Sequence, residues 1–256
     1  MKKEKKKVFL KGRGEYEIPV MHNVEGNEKL VVVIVHEFRS AKYTPTTKVV
    51  MKALEEVGIA SCCFDFPGHD ESPVEGDYYV MENCINDLSD VENYMKSLAP
   101  DAEIAYFASS FGAYTTLCYF VSRQPLGHRA FLRCAATNMK GIIDRSAGAE
   151  GVAQMKADGY TIIDKGPMRP LKMMYQLYED FCRYDLFELC KKGMGDFIMM
   201  HGDQDKMAPH AEAKAFSEKF DIPFITIEGT DHFMFKPPYA LEEVAKEAVK
   251  FFTKEQ

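Results

Sequence analysis

The sequence predicts an α/β fold, in which a mostly parallel central sheet carries helices on both faces. Short runs of apolar, often β-branched residues alternate with amphipathic stretches along most of the 256 residues, and this alternation is typical of βαβ units. Some runs, such as Leu30 to Val35, are apolar at every position, as in strands buried on both faces. A chain of this length normally forms one α/β domain. We therefore expect a single domain over residues 1–256.

The predicted elements begin with an antiparallel hairpin. Strands at 8–11 and 16–22 are joined through the turn-favouring residues 12–15, Gly-Arg-Gly-Glu. The helix at 81–98 is the clearest, because its apolar residues recur at a four-three-four-three spacing from Cys84 to Leu98. Further strands are predicted at 30–35, 59–64, 104–107, 131–135, 197–200 and 223–227, and further helices at 47–57, 113–121 and 241–252.

The alternation breaks between residues 138 and 190. This segment contains no continuous apolar run and is rich in Met, Tyr and Arg. We expect it to be an insertion that forms a lid outside the main sheet. Met and Tyr at helical spacing are typical of packing as well as of ligand contacts, so the sequence selects no single pocket residue among its candidates, which are Tyr160, Met168, Met173, Met174, Tyr175 and Tyr178.

Charge and composition limit the classes of partner. The net charge of −7 and the isoelectric point of about 5.6 disfavour nucleic acid and anionic membranes as partners. No apolar run reaches the length of a membrane span. The basic start, residues 1–7, is followed by only three apolar residues, so we expect no export signal and a cytoplasmic protein.

Cysteines and histidines give no sign of a cofactor. The seven cysteines are odd in number, form no C-x-x-C motif and mostly lie in apolar contexts, as expected of small core residues in a reducing compartment. The seven histidines are scattered, whereas a metal site needs clustered ligands. We expect neither a metal nor another cofactor, and the sequence leaves the oligomeric state open.

A serine motif lies where a predicted strand gives way to a predicted helix. Residues 108–112 read Ala-Ser-Ser-Phe-Gly, which fits the nucleophile elbow G-x-S-x-G with Ala108 in place of the first glycine. The elbow needs small residues two positions either side of the serine, because larger side chains would collide in so sharp a turn. The same letters also fit Ser109 or Ser110 as a helix N-cap, so the motif needs support from elsewhere.

Two loops after later strands supply that support. Residues 201–205 read His-Gly-Asp-Gln-Asp, and residues 229–233 read Gly-Thr-Asp-His-Phe. Ser, then Asp, then His, each after a strand, is the chain order of one class of Ser-His-Asp hydrolases and of neither chymotrypsin-like nor subtilisin-like enzymes. Because the carboxyl ends of parallel strands meet at one edge of a sheet, we expect Ser110, His232 and an aspartate of 201–205 to meet there.

Two further loops complete the resemblance to a known family. Residues 36–40 read His-Glu-Phe-Arg-Ser, close to His-Gly-Phe, and residues 65–72 read Asp-Phe-Pro-Gly-His-Asp-Glu-Ser, close to D-x-x-G-H-G-x-S. With these loops the chain resembles the α/β hydrolases over nearly its whole length, and among them the monoglyceride-lipase and cinnamoyl (feruloyl) esterase group. Residues 201–217 are especially similar to bacterial cinnamoyl esterases. The resemblance implies an α/β-hydrolase fold with an inserted lid at about 138–190.

The resemblance also implies which aspartate acts. The family pattern H-G-x-x-D makes Asp205 the catalytic acid beside Ser110 and His232, with Asp203 as the weaker candidate. Asp231 is a poor orienting partner, because it is the immediate chain neighbour of His232 and is held at an unsuitable angle.

The oxyanion hole is implied by the same loops. One backbone amide comes from the loop after the strand at 30–35 and the other from the residue after the nucleophile. By position these are the amides of Phe38 and Phe111. We interpret His36 and His69 as structural hydrogen-bonding residues rather than as bases.

The resemblance implies a serine esterase that needs no cofactor and acts on a small-molecule ester. Its substrates are expected to be esters of small aromatic or acyl acids. Two alternatives stay open. One is a lipase or thioesterase that acts on an aliphatic acyl chain. The other is a binding protein of this fold whose catalysis is impaired.

Three residues depart from the family pattern, because Glu37, Asp70 and Ala108 stand where glycine is usual. Ala108 is the mildest change, and Asp70 can adopt the left-handed conformation at modest cost. Glu37 brings a negative charge close to the expected oxyanion. We expect its side chain to point to solvent or to pair with a cation such as Arg39, so that Glu37→Gly is close to neutral.

Overall fold

The computed structural model describes residues 4–164 and 168–254. The first three residues of the basic start and residues 165–167 of the predicted insertion lie outside the described residues. The strands are β1 (Lys6–Lys11), β2 (Glu17–His22), β3 (Leu30–Val35), β4 (Ala60–Phe64), β5 (Glu103–Ser109), β6 (Arg129–Arg133), β7 (Tyr160–Ile163), β8 (Leu171–Met174), β9 (Asp196–Gly202) and β10 (Phe224–Ile227).

Eight of these strands form one sheet in the order β1-β2-β4-β3-β5-β6-β9-β10. The pairs β1–β2 and β2–β4 are antiparallel, and the other neighbours are parallel. The predicted mostly parallel sheet with antiparallel strands at its start is therefore confirmed. The parallel strands share one direction, so the loops that follow β3, β4, β5, β6, β9 and β10 all lie at the same edge.

Helices cover both faces of the sheet. They are α1 (Pro45–Glu56), α2 (Met81–Leu98), α3 (Phe111–Ser122), α4 (Met139–Asp158), α5 (Tyr175–Arg183), α6 (Leu186–Leu189), α7 (His210–Phe220) and α8 (Ala240–Thr253), with a short 3₁₀ helix at Gly76–Tyr78. Along β3, Val31, Val33 and Val35 belong to the core that α2, α3 and α7 cover, while Val32 and Ile34 belong to the core beneath α1 and α8. This alternation explains why β3 is apolar at every position.

Element ends differ from the predictions by a few residues, for local reasons. Helix α1 begins at Pro45 rather than at 47, since Thr44 caps it by accepting a hydrogen bond from the Thr47 amide and proline suits the first helical turn. Strand β6 ends at Arg133 rather than at 135, because the backbone of Cys134 has φ 44° and leaves the extended region.

The segment at 138–190 lies outside the main sheet. It contains α4, α5, α6 and a separate antiparallel pair, β7 with β8. The two strands are four residues each and alternate in burial, so no continuous apolar run marks them in the sequence. Helix α4 is interrupted at Gly148, whose φ of 68° suits glycine.

Among the helices built from the described residues, none combines the length and the apolar character needed to cross a membrane.

Candidate active site

Ser110 occupies the sharp turn between β5 and α3. Its φ is 52° and its ψ is −113°, a conformation that costs energy for a residue with a side chain. The turn is held by the Ser110 amide, which donates to the Arg133 carbonyl at 2.9 Å. A Cβ at Gly112 would lie 2.3 Å from the Val35 carbonyl oxygen, so the helix can pack this closely on β3 only with glycine there. The side chain of Ser110 caps no helix amide, which leaves its hydroxyl for another partner.

That partner is His232. Its Nε2 atom lies 2.9 Å from the Ser110 hydroxyl, and its Nδ1 atom lies 2.6 Å from Oδ2 of Asp205. All three side chains are buried. The carboxylate accepts from Nδ1–H, which leaves the Nε2 lone pair to accept the serine proton. The structure thus brings together the three side chains that the sequence places in one site.

The Asp205 carboxylate accepts four hydrogen bonds. Oδ1 accepts from the amides of Met207 at 2.9 Å and Ala208 at 3.0 Å. Oδ2 accepts from His232 and also from Nε2 of His201, at 3.0 Å. Burial alone would raise the pKa of Asp205, but the hydrogen bonds from His201 and His232 hold it well below its usual range. The group is therefore ionised at neutral pH. The role of His201 was not anticipated from the sequence.

The two other aspartates serve their own loops. Oδ1 of Asp203 accepts from the Gly229 amide at 2.7 Å, and Oδ1 of Asp231 accepts from the amides of Phe233 and Met234 at 3.1 Å. Of the three candidates, Asp205 is the one that contacts the imidazole of His232. The loops after β9 and β10 pack so closely that a Cβ at Gly202 would lie 2.2 Å from the Thr230 carbonyl oxygen.

The rings of Phe38 and Phe111, the predicted amide donors, meet edge to face with centroids 5.9 Å apart. Phe111 is the first residue of α3, and the amide of a first helical residue has no acceptor within its helix. The Phe111 amide, next to Ser110, can therefore donate to an acceptor outside the helix.

Two buried histidines fix the loop that carries Phe38. Nδ1 of His36 donates to the Glu37 carbonyl at 2.7 Å, and its Nε2 accepts from the Phe66 amide. Nδ1 of His69 donates to a carbonyl, and its Nε2 accepts from the Arg39 amide at 3.2 Å. Burial lowers the pKa of His36 well below its usual value and that of His69 to about 4. Both rings are neutral and structural, as predicted.

The side chain of Glu37 pairs with a cation, which is one of the two expected arrangements, but the cation is Arg133 rather than Arg39. Its Oε1 accepts from Nη1 of Arg133 at 2.5 Å, and the Arg133 side chain is fully buried. Arg133 ends β6, 96 positions along the chain, so no local pattern in the sequence reveals the pair. The Asp70 expectation is confirmed, since its φ is 36°.

A cavity of about 360 Å³ opens above Ser110. Of the six insertion residues considered from the sequence, Met168 alone lines it. Tyr160 is exposed, Met173 is buried in the core, and Tyr175 stacks on Tyr178. The wall is mostly apolar and consists of Glu37, Phe38, Arg39, Ser110, Met139, Ile142, Ile143, Met168, Met207, Ala208, His232 and Phe233. The apolar i, i+3, i+4 spacing of Met139, Ile142 and Ile143 was the signal that could have revealed the start of α4 as pocket wall.

Two groups of side chains have the donor spacing of a metal site, among the described residues. Cys134, His201 and Asp205 bring one donor atom each within 4.8 Å of one another, yet both oxygens of Asp205 already accept hydrogen bonds. Asp65, Asp70 and Glu71 form the second group. The ammonium of Lys42 contacts all three of those carboxylates and supplies the cation there.

Comparison with known proteins gives a likeness in structure. No protein-family model and no curated protein matches the sequence. Est1E from Butyrivibrio proteoclasticus with ferulic acid bound has a TM-score of 0.77 and 18% identity, over 96% of this chain and 100% of that one. An alpha-beta serine hydrolase homologue from Coxiella burnetii has a TM-score of 0.66 and 18% identity, over 96% of both chains. Alpha/beta hydrolase domain-containing protein 10 from mouse has a TM-score of 0.74 and 14% identity, over 96% of this chain and 98% of that one.

These likenesses show that the chain has the α/β-hydrolase fold, as predicted. Within that fold, Ser110, Asp205 and His232 occupy the loops after β5, β9 and β10, at the edge where the parallel strands end.

Proposed function

We propose that this protein hydrolyses carboxylic esters with Ser110 as its nucleophile. The observation that supports this most directly is the continuous hydrogen-bond chain from Ser110 through His232 to Asp205 at the floor of an apolar cavity. A serine hydroxyl is a weak nucleophile until an adjacent base accepts its proton, and an ionised carboxylate behind that base stabilises the resulting imidazolium.

The proposed reaction has two stages. The Ser110 oxygen attacks the ester carbonyl carbon while its proton passes to Nε2 of His232. The amides of Phe38 and Phe111 donate to the oxyanion of the tetrahedral intermediate. Collapse breaks the bond to the alcohol, which leaves with the proton from His232. Water then attacks the acyl-enzyme, again through His232, and releases the acid and free Ser110.

The proposed substrates are esters of small aromatic or acyl acids, as in the cinnamoyl and feruloyl esterases. The aromatic rings of Phe38 and Phe233 and the methionines of the wall offer a flat, polarisable surface for such a group. Est1E, which shares this fold, has been solved with ferulic acid bound. We further propose that the segment at 138–190 acts as a lid, because Met139, Ile142, Ile143 and Met168 come from it.

One observation favours the second candidate, hydrolysis of an aliphatic acyl ester or thioester. A second cavity of about 410 Å³ lies within the insertion, and Ile143 belongs to its wall as well as to the wall above Ser110. An acyl chain too long for the first cavity would reach Ile143 and the space behind it.

Two measurements test these proposals. A fluorophosphonate probe should label the wild type but not the Ser110→Ala variant. The Ser109→Ala variant, which removes a neighbouring buried serine, is the control and should still be labelled. Absence of labelling in the wild type would instead support a non-catalytic binding protein. Turnover of p-nitrophenyl esters of increasing chain length, set beside methyl ferulate, then separates the aromatic candidate from the aliphatic one.

A further inference from the structure

Arg133 contacts three parts of the candidate site. It ends β6 with its side chain fully buried. Its carbonyl accepts from the Ser110 amide at 2.9 Å. Nη1 donates to Oε1 of Glu37 at 2.5 Å, and Nη2 donates to the backbone carbonyl of His232 at 2.8 Å. One side chain therefore joins the loop that carries Phe38 to the loop that carries His232.

We propose that Arg133 and Glu37 are a positioning pair, which fixes the oxyanion loop relative to the catalytic histidine. This inference rests on the proposed esterase function. Neither residue touches the reacting atoms in this role, and both act through the backbone of their neighbours.

The chemistry of the guanidinium suits this role. Its nitrogens lie in one rigid plane, so two acceptors bound by Nη1 and Nη2 are held at a fixed separation. One acceptor is the side chain of Glu37, which directly precedes Phe38. The other is the carbonyl of His232 itself. Movement of either loop would break a hydrogen bond to a charged, buried group, which is among the costlier bonds to lose.

The charge of Glu37 is also explained by the pair. A carboxylate beside the oxyanion would oppose the negative charge that develops there. In the structure that carboxylate contacts a fully buried cation, so the pair as a whole is neutral. Conversely, an arginine buried without a carboxylate would be strongly destabilising. The family that this chain resembles usually has glycine at position 37. In this chain the charge of Glu37 is neutralised by Arg133 on β6.

An ordinary structural ion pair would affect stability and leave the chemistry of the folded enzyme unchanged. A positioning pair should instead lower kcat with little effect on KM, because correct alignment matters most in the transition state. Four variants distinguish the two roles. Glu37→Gln keeps the shape of the side chain but removes its charge. Arg133→Gln removes the two guanidinium donors, and the double variant measures the coupling between the two residues. Arg129→Gln is the matched control, since Arg129 is also buried on β6 but lies at its other end.

We expect Glu37→Gln to lower kcat about tenfold with KM within about twofold. The double variant should be no slower than Arg133→Gln, and Arg129→Gln should keep the wild-type kcat. The proposal is overturned if Glu37→Gln keeps the wild-type kcat, or if the two single losses multiply in the double variant. Should Arg133→Gln not fold, Glu37→Gln and Glu37→Asp decide alone, with Glu37→Asp expected to lose less than Glu37→Gln.

A second readout needs no turnover. The Nδ1 proton of His232, bonded to Asp205, should give a downfield proton resonance in the wild type. Glu37→Gln should shift or broaden it, and Arg129→Gln should leave it unchanged. If the wild type hydrolyses no ester, the proposed function fails, whereas an unchanged resonance in Glu37→Gln overturns the positioning pair alone.

Discussion

Nε2 of His201 lies 3.0 Å from Oδ2 of Asp205, the same carboxylate oxygen that accepts the hydrogen bond from His232. That nitrogen also lies 2.8 Å from the Ala208 carbonyl oxygen. Both neighbours are acceptors, so Nε2 bears a proton. His201 is fully buried, and together with His232 it stabilises the ionised form of the carboxylate.

His201→Phe should keep an aromatic ring at this position but lose the Nε2–H donor. We expect the free energy of unfolding to fall by about 1.5–3 kcal/mol, the range for hydrogen bonds to charged groups, and kcat to fall less than in Asp205→Asn. Urea denaturation and steady-state kinetics measure the two effects. His210→Phe is the control, because His210 packs on His201 but bonds to Thr226. Equal losses in the two variants would contradict the assignment.

Ser110 combines a strained backbone with the proposed nucleophile. Ser110→Ala should lower kcat by at least about 10⁴-fold and leave the stability nearly unchanged, because alanine keeps the Cβ and its strain. Ser110→Gly should lose activity equally but gain about 1–2 kcal/mol of stability, since glycine tolerates φ 52°. Thermal denaturation of both variants checks this. A Ser110→Gly variant no more stable than Ser110→Ala would argue against stored strain.

The two aspartates of the loop after β9 should differ sharply. Asp205→Asn should lower kcat about 10³–10⁴-fold, because an amide cannot hold the histidine tautomer as the carboxylate does. Asp203→Asn should have a small effect, because the one side-chain hydrogen bond of Asp203 among the described contacts is the one that it accepts from the Gly229 amide. Measuring kcat of both variants on one activated ester is enough to test this ranking. The reverse ranking would show that the acid is Asp203.

Ile143 should govern the acyl length that the site accepts. Ile143→Ala removes the side chain common to both cavities, so the ratio of kcat/KM for a p-nitrophenyl octanoate over an acetate should rise, roughly tenfold. Ile142→Ala is the control, since Ile142 lines only the cavity above Ser110 among the described residues. An equal rise in both variants would mean that added volume, rather than access to the second cavity, sets the preference.

The contribution of Asp87 to stability should fall as the pH rises from about 4 to about 8. This buried carboxyl accepts from the Tyr16 hydroxyl, and burial raises its pKa to about 8. The unfolded value is about 3.9, so the native state holds the extra proton. The stability due to that proton is complete below pH 4 and is lost as the pH rises to 8.

Asp87→Asn removes this titration. From pH 5 to pH 9, the free energy of unfolding of the variant should increase relative to that of the wild type by more than about 1.4 kcal/mol, the equivalent of one pKa unit. Urea denaturation at the two pH values measures the gain. Asp77→Asn, which breaks the surface pair with Lys172, should show no such gain. A gain independent of pH would contradict the shifted pKa.

Much of the fold was predictable because its signals are local. The apolar run of β3 and the spacing in α2 gave the bounds of both elements correctly. That the serine, the aspartate and the histidine would meet could be predicted because each follows such a strand. The Glu37–Arg133 pair and the contact of His201 with Asp205 were not, since they depend on where strand ends and side chains meet in three dimensions. β7 and β8 were missed because a short strand that alternates in burial has no strong pattern.

Strands β6 and β9 pair directly, Arg129 with Asp196 through Arg133 with Met200, although the whole insertion lies between them in the chain. Because this pairing is parallel, the chain leaves β6 at the carboxyl edge of the sheet and enters β9 at the opposite edge, and the hydrogen-bonded ladder between the two strands fixes both points. Evolution can lengthen, shorten or replace this segment without changing the register of the sheet. The proposed catalytic residues and the part of the pocket wall that the insertion supplies can thus diverge at different rates, and a chimera bearing a foreign insertion should keep the former.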